Sequence, residues 1–219
     1  RGTLYPTSRI FLGIPYGVAS RFEPPEPAPP WKPSTLYAGA YKPACMHPSG
    51  PRTEGVSEDC LYLNVFTPPW GVGQTNNPVL LWLHGGGYTL GAGSDTAPED
   101  VGDLVLTHNV VVVSTNYRLG VFGFSGSEEL RSAKDGSTGN FGMQDQALAF
   151  EWVRKYITHF GGDPQNVTVF GWSAGAASIS VHLTAPSSRG LFQRAIMMSG
   201  GFTDWAALPM EAAEGAFAS

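Results

Sequence analysis

The residues best equipped for chemistry in this sequence are Gly171-Trp-Ser-Ala-Gly175 and His84-Gly-Gly-Gly87. A serine set among tiny residues suits a sharp strand-to-helix turn, which lifts the hydroxyl clear of the backbone while neighbouring backbone passes close by. Such a hydroxyl is a weak nucleophile until a base takes its proton, and acyl transfer then places negative charge on the former carbonyl oxygen. The charge has candidate partners here. The Ala174 amide opens a helix N-terminus, and the flexible Gly85-Gly86-Gly87 turn can aim further amides at the same point. The bland alternative is a glycine-rich turn beside a serine that only caps a helix. Both motifs close buried strands in the expected order, which disfavours it.

The elements that must position these residues are legible from periodicity. Val79-Leu-Leu-Trp-Leu83 is apolar at every position, as a strand buried on both faces requires, and it halts at His84. Asn109-Val-Val-Val-Val-Ser114 repeats the pattern in β-branched residues that suit a central strand. Asp145 to Phe160 reads as an amphipathic helix stopped by Gly161-Gly162. Val167-Thr-Val-Phe170 and Ala195-Ile-Met-Met198 are further strands, with a small-residue helix over Ala174 to Leu183 between them. Upstream, Arg9 to Tyr16 and Leu61 to Phe66 read as short antiparallel edge strands around a proline-laden stretch. Strands alternating with helices make an α/β fold, a mostly parallel central sheet flanked by helices with N-terminal antiparallel edge strands. The alanine-rich tail from Ala206 is expected to be helical, and the sheet to be incomplete at the C-terminus.

Composition narrows the function classes. With 42% hydrophobic and 12% aromatic residues among 219, the chain can bury a substantial core, so one globular unit over residues 1–219 is expected. A net charge of -5, with 13 scattered Lys and Arg, leaves no basic face for nucleic acid. No stretch approaches the roughly 20 apolar residues of a membrane span. The chain opens on Arg1 without Met or an apolar leader, so it is expected to be a piece of a longer protein. Cys45 and Cys60 close one short polar loop, which fits a disulfide better than a zinc site, although His47 is near. A disulfide there points to an oxidising compartment.

Two longer stretches carry a resemblance. Phe160-Gly-Gly-Asp-Pro164 leading to Gly171-x-Ser-Ala-Gly175 is similar to the serine signature of the type-B carboxylesterase and cholinesterase family, and Ser57-Glu-Asp-Cys-Leu-Tyr-Leu-Asn64 resembles its second signature. The likeness extends through Arg21-Phe22, Asn116-Tyr-Arg-Leu-Gly120, Gly139-Asn-Phe-Gly-Met-Gln-Asp-Gln146 and Gly190-Leu-Phe-Gln-Arg194. It implies the α/β-hydrolase fold and hydrolysis of small-molecule or lipid carboxylic esters, without metal or organic cofactor. It also implies Ser173 as nucleophile, the Gly86, Gly87 and Ala174 amides as oxyanion hole, and a Cys45–Cys60 disulfide in a secreted, extracellular or endoplasmic-reticulum protein. Structural ion pairs Arg21–Glu58 and Arg118–Asp163 are further implications.

The chain departs from that pattern at Trp172, where the family usually has a polar residue, often glutamate. No histidine follows His182, so the acid and the histidine of a Ser, Asp or Glu, His triad are expected outside this chain. His182 is half a turn out of phase with Ser173 and is read as a packing or surface residue. His84 is read as shaping the glycine loop, His159 as suiting a helix C-terminus, and His47 and His108 as loop residues. Asp204 is a minor candidate for the acid. Asn166-Val-Thr168 matches a glycosylation sequon but runs straight into a buried strand. Non-catalytic adhesion relatives such as the neuroligins are the competing class, yet they often lack the serine retained here. The loop from Met46 to Asp59 holds no aromatic residue to bind a choline cation, so a general carboxylesterase or lipase-like esterase is favoured over a cholinesterase.

Overall fold

The computed structural model describes the chain except residues 5–7, 32–34, 49–53, 70–75, 97, 203–206, 208 and 219, and except the side chains of 4, 98–100 and 216–218. Near the N-terminus lie β1 (Thr3–Leu4), β2 (Arg9–Pro15) and two short pairings, β3 (Gly17–Val18) with β4 (Glu26–Pro27) and β5 (Ala44–Cys45) with β6 (Val56–Ser57). There follow β7 (Tyr62–Thr67), β8 (Asn77–Leu83), α1 (Pro98–His108), β9 (Val111–Thr115), α2 (Gly120–Phe124) and α3 (Phe141–Tyr156). Then come β10 (Gly162–Trp172), α4 (Ala174–Thr184), β11 (Arg194–Met198) and α5 (Met210–Ala218).

Among the described residues, seven strands form one sheet in the order β1-β2-β7-β9-β8-β10-β11. The β1, β2 and β7 part is antiparallel, and β9, β8, β10 and β11 run parallel to one another. This is the mixed sheet expected from the sequence, with antiparallel edge strands on one side. Two apolar layers cover its faces. On one, Leu81, Leu83, Val113 and Val169 pack with Leu148, Ala149, Val153 and Ile157 from α3 and the turn after it, and with Ile179 of α4. On the other, Phe66 and Val112 pack with Val101 and Val105 of α1. Full burial of a side chain such as Val105 contributes roughly 1.5–3 kcal/mol.

Several elements differ in detail from the sequence reading. In β8, Val79, Leu81 and Leu83 are fully buried, whereas Leu80 and Trp82 are only partly covered, because α3 and α4 seal one face and the other leaves Trp82 against Phe170, ring centroids 4.9 Å apart and tilted at 50°. β9 is buried along its whole length, as read. The helix expected from Asp145 begins earlier, at Phe141 after the N-cap Asn140, and gives way at Ile157 to a 3-10 turn through Phe160. Gly161 closes it at φ 85°, the left-handed stop that its glycine allows. α1 had no counterpart in the sequence reading, and His108, read as a loop residue, is its last residue.

Arg118 does not pair with Asp163. It makes a two-pronged bond to Asp145 of α3, Nη2 to Oδ1 and Nε to Oδ2 each at 2.8 Å, while its remaining nitrogen donates to the Glu23 carbonyl. Asp163 instead accepts the Gln165 amide inside its own turn. The reason is placement: Arg118 follows β9 directly over the first turns of α3, where the buried Asp145 faces it. Burial pushes the Asp145 carboxyl up, and the Arg118 bonds oppose that shift. The expected Arg21–Glu58 ion pair is present at the surface, with a second bond, Nε to Oε2, of 3.0 Å. Cys45 and Cys60 are joined by a disulfide.

Candidate active site

The strand order sets where a crevice must open. From β8 the chain passes to β9 on one side and returns as β10 on the other, so the connections leaving the C-terminal ends of β8 and β10 diverge. Open parallel sheets bind ligands at such a switch point. Leu83 and Gly171, near the two strand ends, are register partners. The two sequence motifs therefore lie side by side.

Ser173 occupies the turn between β10 and α4 at φ 54° and ψ -117°, a conformation that costs a non-glycine residue on the order of 1–3 kcal/mol. The strain is held by its surroundings: the Ser173 amide donates to the Met198 carbonyl of β11 at 2.9 Å, and its own carbonyl accepts from Ala177 at 2.9 Å. Its side chain makes no helix-capping bond, which removes the reading of a mere capping serine. The glycines around it are forced by close approach. A β-carbon on Gly175 would stand 2.1 Å from the Leu83 carbonyl oxygen, one on Gly171 2.6 Å from the Gly175 carbonyl carbon, and one on Gly200 2.5 Å from the Ser173 carbonyl oxygen.

The glycine turn is built against this elbow. A β-carbon on Gly85 would lie 3.3 Å from Ser173 Cβ. Gly86 has φ 111° and a β-carbon there would meet the Leu90 carbonyl oxygen at 2.2 Å; Gly87 has φ 60°. The turn is closed by Thr89 and Leu90 amides donating to the Gly86 carbonyl at 3.0 and 3.1 Å. Among the described residues, the Gly86 and Gly87 amides donate to no protein acceptor. The Ala174 amide is the first of α4, where intrahelical partners are lacking and the helix dipole is positive. His84 is buried and shapes the loop as read, donating from Nδ1 to the Gly85 carbonyl at 2.8 Å and stacking on Tyr117 at 4.3 Å. The Tyr117 hydroxyl in turn donates to the His84 carbonyl at 2.7 Å.

Trp172 points outward beside the nucleophile and is 54% exposed. Its bulk is accommodated outside the elbow, the ring edge lying against the glycine turn, where a β-carbon on Gly85 would stand 3.3 Å from Trp172 Cε3. Asp204 lies outside the described residues. Asn166 is in β10, its Oδ1 accepting from Arg194 at 2.6 Å. Of the two readings of His182, packing holds and surface exposure does not: it is buried against Phe150, with both ring nitrogens also bonded, Nδ1 to Ser188 at 2.7 Å and Nε2 to Gln146 at 2.9 Å. Gln146 and Ser178 were not singled out from sequence. Their signal was available in helical phase, since Ala174, Ser178 and His182 fall at four-residue steps on one stripe of α4.

Comparison with known proteins gives these features a lineage. The Carboxylesterase family profile matches residues 1–218. Acetylcholinesterase from Bungarus fasciatus is 46% identical over 210 residues, covering 87% of this chain and 33% of that protein. Para-nitrobenzyl esterase from Bacillus subtilis (strain 168) is also 46% identical, over 213 residues, covering 91% of this chain and 42% of the relative. A solved PNB esterase superposes with a TM-score of 0.88 at 43% identity, covering 99% of this chain and 45% of that one. The Geobacillus stearothermophilus carboxylesterase EST55 superposes with a TM-score of 0.83 at 42% identity, over 92% of this chain. The chain thus spans less than half the length of these relatives.

Proposed function

The chain belongs to the carboxylesterase family, and from that premise we propose that it carries the nucleophile and oxyanion hole of a serine carboxylic-ester hydrolase. The observation that carries the reading is Ser173 itself: strained to positive φ at a strand-to-helix elbow, free of capping duty and pressed against a glycine turn whose amides are unspent.

Ser173 Oγ attacks the ester carbonyl carbon as a base takes its proton, and the carbonyl π pair moves onto oxygen. The Gly86, Gly87 and Ala174 amides receive that oxyanion, each donor being worth on the order of 3 kcal/mol in the transition state. Collapse expels the alkoxide, which leaves with the proton as an alcohol, and Ser173 is acylated. Water reverses the sequence and releases the acid. The acid and histidine of the triad come from sequence outside this chain, as does much of the substrate pocket. The aromatic-free Met46 to Asp59 loop supports a general carboxylesterase rather than a choline-selective enzyme. The Cys45–Cys60 disulfide supports a secreted protein or one of the endoplasmic-reticulum lumen.

Steady-state hydrolysis of p-nitrophenyl acetate by the complete protein tests this. Turnover that disappears in Ser173→Ala is the expected result; equal turnover in both proteins would place the chemistry elsewhere.

A further inference from the structure

Beneath the site runs a line of buried polar side chains that nothing in the mechanism above requires. Ser188 Oγ is 2.7 Å from His182 Nδ1, His182 Nε2 is 2.9 Å from Gln146 Oε1, Gln146 Nε2 is 3.1 Å from Ser178 Oγ, and Ser178 Oγ is 2.9 Å from the Ala174 carbonyl oxygen. All four side chains are buried.

Each bond has one direction. The Ala174 carbonyl can only accept, so it takes the single Ser178 proton, and Ser178 oxygen accepts from the Gln146 amide nitrogen. Gln146 Oε1 can only accept, so His182 Nε2 carries the ring proton. Nδ1 is then the acceptor for the Ser188 hydroxyl. That tautomer is a neutral imidazole, consistent with burial holding His182 down at about 4.

A mid-helix serine bonding back to the carbonyl four residues earlier is ordinary. A buried glutamine and a neutral histidine stacked behind it are not, because an apolar filling would remove the desolvation cost of every group in the line. The line ends on the first residue of α4, the helix start that presents the Ala174 amide next to Ser173.

We infer that Ser178, oriented by Gln146 and His182, is a positioning residue that fixes the first turn of α4 and with it the Ala174 amide of the oxyanion hole. The inference rests on the oxyanion-hole reading above. Ser178 touches no reacting atom; it acts through where the Ala174 amide points.

The test uses the complete protein and two variants, Ser178→Ala and, further from the elbow, His182→Phe, which keeps ring volume beside Phe150 and loses both bonds. The Ser178→Ala change should lower kcat about tenfold, part of the hundredfold or more expected for losing a whole donor, with KM within about twofold. Affinity for a trifluoromethyl ketone, whose hemiketal oxyanion occupies the hole, should fall in proportion to kcat, while affinity for the carboxylic acid product stays unchanged. His182→Phe should show the same pattern with a smaller loss. Unchanged kcat and ketone affinity in both variants of an active enzyme would overturn the positioning role alone, as would equal losses for ketone and product. A wild-type protein that neither turns over ester nor acylates at Ser173 would overturn the underlying reading and this inference with it.

Discussion

Gly85 faces Ser173 so closely that a β-carbon on the glycine would stand 3.3 Å from Ser173 Cβ and 2.8 Å from the Trp172 carbonyl oxygen. The glycine turn and the elbow share one packed seam, and neither can move without the other. Gly85→Ala is expected to push the turn away from the elbow and cut kcat/KM of the complete protein by about a hundredfold, the scale of a lost oxyanion donor. Gly175→Ala would meet the Leu83 carbonyl oxygen at 2.1 Å and must lift α4 off the sheet, so it should lower the melting temperature as well as activity. Circular dichroism melts and ester kinetics on the two variants separate these effects.

The Arg118–Asp145 pair makes a second prediction. Both side chains are buried, with Arg118 also lying over the Phe141 ring at 5.4 Å. Removing one partner leaves the other charge unpaired, so Asp145→Ala should cost about 3–5 kcal/mol in urea unfolding. Asp163→Ala should stay within about 0.5 kcal/mol, as expected for a residue away from such a pair. A large cost at Asp163 would mean that Arg118 has a different partner in solution.

His182 gives a signed pH dependence. Its folded value, about 4, lies below the ordinary 6.5 because burial disfavours the charged ring. The unfolded chain therefore binds a proton that the folded chain refuses, and stability falls as pH drops through the window from 6.5 to about 4. The loss attributable to this ring is about 3 kcal/mol, complete at the low end. It is read as the difference between wild type and His182→Phe in unfolding free energy at several pH values. A difference that does not change with pH would contradict a buried neutral imidazole.

The Cys45–Cys60 bridge closes a short loop beside the exposed Arg21–Glu58 pair. In the chain-entropy picture its removal costs about 3 kcal/mol. Chemical denaturation of a Cys45→Ser, Cys60→Ser variant should show that loss, whereas Glu58→Gln, which breaks only the surface ion pair, should cost at most about 1 kcal/mol.

What the sequence disclosed follows from what local patterns encode. The Val79–Leu83 run, the Gly171–Gly175 turn and the Gly161 stop are set by period and glycine geometry within a few residues and appear where they were read, while the β-branched Asn109–Ser114 run is a strand that begins at Val111, after Asn109 turns the chain at φ 52°. The mixed sheet followed from alternation of those elements. The partner of Arg118 did not, because which carboxylate faces it depends on how α3 lies over β9, a tertiary relation that no spacing records. The His182 bonds to Gln146 and Ser188 were hidden for the same reason: His182 was judged by its phase against Ser173 alone, and its true partners come from another helix and a loop. α1 escaped notice because its apolar face, Val101 and Val105 over Phe66 and Val112, is narrow and interrupted by charge and glycine.

The most direct measurement is active-site labelling of the complete protein with a fluorophosphonate, followed by peptide mapping, with Ser173→Ala as control. The proposed mechanism predicts stoichiometric phosphonylation at Ser173 that vanishes in the variant. Folded wild-type protein that takes up no label, or label on a different serine, would contradict it and favour a non-catalytic role for this fold.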